Sequence, residues 1–136
     1  MDMSKEEVDE ALLNAGIEYK ENKEEEMYEL LYEFNHCIIA FDDDKVVEIT
    51  VDFENMKEKS DFLVFGIDGN ENIKSVFKKM KQYNPLQDEN GKYKRISFLA
   101  REYIGVNYNF NDNGELLFMY VFVDTSNGAN RIGSTD

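Results

Sequence analysis

The chain has 136 residues, 29 acidic against 15 basic, for a formal charge of −14. Its 42% hydrophobic and 13% aromatic content excludes disorder and suits one domain with a single core. One cysteine, Cys37, excludes an internal disulfide, and no apolar run reaches the roughly 20 residues of a bilayer span.

The first element is a helix over residues 4–15. Ser4-Lys5-Glu6-Glu7 forms a capping box, Val8, Ala11, Leu12 and Ala15 follow at helical spacing, and Gly16 supplies the stop. Residues 24–34 fit two templates, a stripe of Met27, Leu30, Leu31 and Phe34 or an alternation of Tyr28, Leu30, Tyr32 and Phe34. Aromatic content and a two-residue turn at Asn35-His36 favour a strand leading into a second at 37–41. Asp42-Asp43-Asp44 is a turn, and residues 46–53 alternate as a strand. A charged loop at 55–61 precedes an expected strand at 62–67. The spacing of Ile73, Val76, Phe77 and Met80 predicts a helix over 70–83, stopped by Asn84-Pro85.

Residues 87–92 read as a polar loop, followed by strands at 93–99, 104–110 and 116–123. Asn113-Gly114 is the strongest hairpin signal of the chain. The Ser-, Gly- and Asn-rich stretch 125–136 reads as a disordered tail. No internal repeat or linker is visible. The expected architecture is therefore α+β: a single domain over 1–124, a mostly antiparallel sheet with two main helices packed on one face.

Catalytic chemistry finds little support. His36 is the only histidine, and its neighbour Cys37 would point to the opposite side of a strand. Three consecutive aspartates at 42–44 diverge rather than converge on a metal. Asp68-Gly69-Asn70-Glu71-Asn72 begins like a calcium loop, but Ile73 and Lys79 stand where glycine and a bidentate glutamate are required. No phosphate-binding glycine motif is present, so no cofactor and no metal are expected. Lys74, Lys78, Lys79 and Lys81 form the main basic cluster, which reads as a solvated helix face rather than a nucleic-acid site.

Charge is the informative feature. Residues 1–68 carry 21 of the acids and 6 of the bases, whereas residues 69–136 carry 8 acids and 9 bases. A one-signed field steers oppositely charged partners. Tyrosines interleaved with carboxylates suit an interface, since aromatic anchors supply affinity while charges set the on-rate. The candidate partner-binding residues are Glu24, Glu25, Glu26, Tyr28, Glu29, Tyr32, Glu33, Asp42, Asp43 and Asp44. Solubility alone is the competing explanation of the same acids.

The layout resembles the small acidic immunity proteins of bacterial toxin–immunity systems. The likeness is carried by the capped leading helix, the acidic segment 24–44, the stretch 62–68 running into an amphipathic helix, and the aromatic C-terminal hairpin. It implies a non-catalytic inhibitor that occludes a basic protein toxin domain, often a nuclease, without itself touching nucleic acid or membrane. The acidic N-terminus lacks the pattern of a signal peptide, so a cytoplasmic location is expected. Two alternatives stay open. One is a DNA mimic, which needs carboxylates at phosphate-like spacing. The other is an enzyme or small-ligand domain, which would gather residues such as Arg101, Tyr103 and Asn107 around a deep pocket.

Overall fold

The computed structural model describes residues 3–24, 26–59 and 66–123. The first helix, α1 (Lys5–Asn14), begins at the expected capping box: Ser4 Oγ accepts from the Glu7 amide at 3.2 Å, and Glu7 Oε1 accepts from the Ser4 amide at 3.1 Å. Four strands follow, β1 (Lys20–Asn22), β2 (Leu30–Phe34), β3 (Cys37–Asp42) and β4 (Lys45–Asp52). Asn35 and His36, at φ 40° and 67°, form the two-residue turn between β2 and β3. Asp43 and Asp44, at φ 51° and 63°, do the same between β3 and β4. Both turns need the left-handed region, which short polar side chains tolerate better than bulky ones.

The second helix, α2 (Ile73–Lys79), is shorter than the periodicity predicts. Asn72 is its N-cap, in a second capping box with Ser75, and Asp68 is spent on an Asx turn to the Asn70 amide at 2.8 Å. Beyond Met80 the chain tightens into one 3-10 turn, Lys81–Tyr83, and Asn84 ends it at φ 52°. The expected polar loop at 87–92 is instead a strand, β5 (Leu86–Asn90), turning through Gly91 into β6 (Tyr93–Arg101). As an edge strand it needs no apolar alternation. A bidentate cross-strand pair, Asp88 with Arg95 at 2.9 and 3.0 Å, helps hold its register. Strands β7 (Ile104–Phe110) and β8 (Leu116–Val123) agree with expectation. The expected strand at 62–67 falls largely outside the described residues, although Ile67 is fully buried. The expected tail at 125–136 lies outside them altogether.

The eight strands of the described residues form one antiparallel sheet in the order β1-β2-β3-β4-β8-β7-β6-β5. That order reveals a structural repeat which sequence reading missed: a capped helix followed by a four-stranded meander, twice. Lys5 N–H donates to the Asp44 carbonyl at 3.0 Å, and Ile73 N–H to the Gly114 carbonyl at 2.9 Å, so each helix start is pinned to the last turn of its own meander. Isolated bridges, Ser4 with Lys45 and Asn72 with Glu115, accompany both contacts. A register shift ends the third strand of each half, at Ala40/Phe41 and at Asn109/Phe110. The two halves meet where β4 pairs with β8 around Thr50 and Tyr120.

Two apolar clusters make the core. Val8 and Leu12 of α1 join Leu30, Tyr32, Phe41 and Val46. Val76 and Met80 of α2 join a larger cluster that includes Val51, Phe53, Phe98, Tyr108, Phe110 and Met119. Phe34 and Ile49 touch both clusters, so the core is continuous. Each of these large side chains contributes roughly 1.5–3 kcal/mol by leaving water.

A candidate protein-binding face

In an antiparallel sheet, residues directly opposite one another point to the same side. Residues alternating with the core clusters therefore define a second face. One row across it runs Leu31, Ala40, Glu48, Phe122 and Gly105, and the next runs Glu33, Ile38, Thr50, Tyr120, Asn107 and Ser97. Phe118 adjoins them, and the rings of Tyr93, Phe118 and Tyr120 form a chain of edge-to-face contacts at 5.2 and 5.3 Å. Tyr93, Phe118, Tyr120 and Phe122 are only half-buried, and Ile38 is exposed. The face is thus aromatic and partly open to solvent.

The segment joining β1 to β2 lies against one corner of this face at Met27 and Tyr28. Its end is clamped reciprocally: the Glu29 amide donates to Asp42 Oδ1 at 3.0 Å, and the Asp43 amide to Glu29 Oε2 at 3.1 Å. Tyr28 reaches over Leu31 and Ala40, and its hydroxyl donates to Glu48 Oε2. Burial, with the Glu48 carboxylate beside it, pushes the Tyr28 phenol up to about 12. Tyr120 is raised for the same two reasons. Met27, 77% exposed, stands at the rim. Met27, Tyr28, Leu31, Ile38, Glu48 and Tyr120 line a groove of about 350 Å³ with Ala40 and Thr50.

Of the sequence-predicted interface residues, Glu24, Glu26, Tyr28 and Glu29 lie on this connecting segment, and Asp42–Asp44 at the adjacent turn. Glu33 lies on the second face, where the Asn22 side-chain amide donates to it at 3.4 Å. Glu25 lies outside the described residues. Tyr32 belongs elsewhere: it is 0% exposed, on the core side of β2, and its hydroxyl donates to Asp9 Oδ1. Alternation decides this, because Tyr32 has the parity of Leu30 and Phe34. Asp9 also takes the Tyr19 hydroxyl at 2.8 Å and Lys5 at 3.2 Å. Burial pushes the Asp9 carboxyl up, but hydrogen bonds from Tyr32, Tyr19 and Lys5 outweigh it and hold it below the ordinary range.

Other sequence candidates separate as well. His36 is exposed in its turn, whereas Cys37 is buried and its thiol is pushed up to about 11 by that burial. Among the described residues, no group of three or more His, Cys, Asp or Glu side chains is placed to hold a metal ion. Nor is any helix among them long and apolar enough to cross a membrane.

Among the described residues, the carboxylates of the acidic end form no ion pair. The described pairs are Lys5 with Asp9 and Glu21, Lys79 with Glu71, and Arg95 with Asp88. Glu24, Glu26, Glu29, Glu33, Glu48 and Asp42–Asp44 take part in none of them. Among the described residues, none of these pairs joins a lysine of α2 to a carboxylate of the first meander.

Sequence reasoning missed Leu31, Ile38, Glu48, Thr50, Phe118, Tyr120 and Phe122 as members of this face. The signal was available in β8, whose run Leu-Leu-Phe-Met-Tyr-Val-Phe-Val is apolar at both parities and so presents apolar surface to both sides. Comparison of the chain with family models, with curated proteins and with solved structures gives no match.

Proposed function

We propose that this chain is a non-catalytic immunity protein that binds and neutralises a basic toxin domain, a nuclease being the best-suited class, in the cytoplasm of the cell that makes it. The docking surface is the second face of the sheet together with the acidic end formed by Glu24, residues 26–29 and Asp42–Asp44. Both helices lie on the other face. This reading is supported by the register, which puts Leu30, Ile39, Ile49, Val121 and Val106 on one side with the clusters that receive α1 and α2.

The observation that carries the proposal is an aromatic sheet face bordered by carboxylates with which no described cation forms an ion pair. Large aromatic side chains bind by excluding water, and a one-signed border speeds encounter with an oppositely charged protein. A DNA mimic is less well supported, since Glu29, Asp42 and Asp43 are clamped together at one end of the sheet instead of spread at phosphate-like intervals.

The test is capture by the immobilised chain from the producing strain at low salt, followed by an activity assay. The expected result is a basic protein whose toxicity is abolished at a one-to-one ratio. A captured protein whose activity is unchanged by excess chain contradicts the proposal.

A further inference from the structure

We infer that the groove between Met27-Tyr28 and strands β2, β3, β4 and β8 receives one arginine side chain of the protein partner, with Glu48 as counter-ion and Tyr28 and Tyr120 as walls. That the arginine belongs to a protein rests on the function proposed above; the pocket chemistry does not.

Glu48 is half-buried in the middle of the sheet, between Ala40 on β3 and Phe122 on β8. Its one described hydrogen bond comes from the neutral Tyr28 hydroxyl, on Oε2. Among the described residues no cation pairs with it. A partly desolvated carboxylate without a cation is unfavourable, and the site gains most from a ligand that returns the charge.

The remaining walls restrict which cation fits. Aromatic faces attract cations, and the guanidinium group also stacks flat on a ring while offering a fork of donors to a carboxylate. Leu31, Ala40 and Ile38 give an apolar floor for the methylene stem, as long cationic side chains require. An apolar side chain would cover Glu48 and leave it unpaired, and an anion would be repelled. The neighbouring acids at 24, 26 and 42–44 draw a cationic surface to this corner, and the groove then fixes one residue of it.

The test titrates the whole chain with the capped peptide acetyl-Gly-Arg-Gly-amide, followed by amide NMR, against the same peptide with citrulline in place of arginine. The arginine peptide should shift the amides of Met27, Tyr28, Glu48 and Tyr120, with a dissociation constant in the millimolar range expected of about 4 kcal/mol. Citrulline, equal in shape but uncharged, should bind about 10-fold more weakly, as should arginine to Glu48→Gln. Tyr120→Leu should weaken it about threefold, and Tyr28→Phe, which keeps the ring, should stay within about threefold of the parent. The dispersed spectrum of each variant reports that it is folded. Equal binding of citrulline, indifference to Glu48→Gln, or shifts scattered over all surface acids would overturn the assignment. A chain that passes while neutralising no basic toxin keeps the pocket and loses the immunity function. One that neutralises a toxin yet ignores Glu48→Gln loses the pocket alone.

Discussion

Tyr32→Phe isolates one hydrogen bond and leaves almost everything else in place. The Tyr32 ring is fully buried, 4.3 Å from the Tyr19 ring and 4.8 Å from that of Phe41, and phenylalanine keeps those contacts. What is lost is the hydroxyl's bond to the Asp9 carboxylate. A hydrogen bond to a charged group stabilises by roughly 1.5–3 kcal/mol. The Asp9 side chain is 33% exposed, so water replaces part of the lost bond, and we expect a cost of about 1 kcal/mol. On an Asp9→Asn background the acceptor is neutral, and the same change should cost measurably less, with a coupling of about 0.5 kcal/mol. Urea unfolding of the four proteins gives both numbers. The pH dependence follows from the direction of the Asp9 shift. Its folded-state value is depressed, so its contribution is complete above the ordinary unfolded value near 4 and disappears as pH falls through the lower folded value. The stability gap between the parent and Asp9→Asn should therefore begin to narrow below about pH 4 and close only beneath the lower folded value. A Tyr32→Phe variant as stable as the parent, or a gap that persists undiminished in strong acid, would refute the hub at Asp9.

Three further outcomes follow from particular contacts. Gly114→Ala should cost about 2 kcal/mol in thermal unfolding, because Gly114 sits at φ +80° and a Cβ there would lie 3.1 Å from Ile73 Cγ2. Gly91→Ala, at φ +61° but facing open space, should cost about half as much. Tyr28 should ionise near 12 in an ultraviolet titration, and Glu48→Gln should lower that value only in part, since burial, the larger cause, still disfavours the phenolate when the carboxylate is gone. The raised value means that Tyr28 supports the fold fully below about pH 10 and loses that support as pH rises through its folded value. Cys37, buried and pushed up to about 11, should resist thiol reagents at pH 8 in the native state and react on unfolding.

Elements written in local chemistry were legible from the sequence. The Ser4–Glu7 capping box, the Asn35-His36 turn and the strict alternation of Ile104–Phe110 each specify their own backbone and appear where expected, while the turn expected at Asp42-Asp43-Asp44 narrows to Asp43-Asp44 because Asp42 pairs within β3. What depends on distant partners was not legible. β5 is held by pairing with β6 and by Arg95, neither of which shows in the pattern of residues 86–90 itself. The repeat escaped notice because its halves share geometry and not residue identity: Ser4 and Asn72 cap, and Asp44 and Gly114 receive the helix amide, by the same contacts with different side chains. The candidate face was half legible. Charge drew attention to residues 24–44, yet the groove is completed by Tyr120, about seventy positions from its β4 neighbour Thr50, through the β4–β8 pairing.

The association rate of this chain with the basic protein it captures, measured at low and high salt, reports whether the acidic end of the sheet carries recognition. The informative variant is Glu24→Gln, Glu26→Gln, Asp43→Asn and Asp44→Asn together, because asparagine keeps the left-handed turn while removing charge. We predict a low-salt association rate reduced about 10-fold, with a flatter salt dependence and a dissociation rate changed far less. An unchanged association rate at low salt would contradict recognition through the acidic end of the sheet.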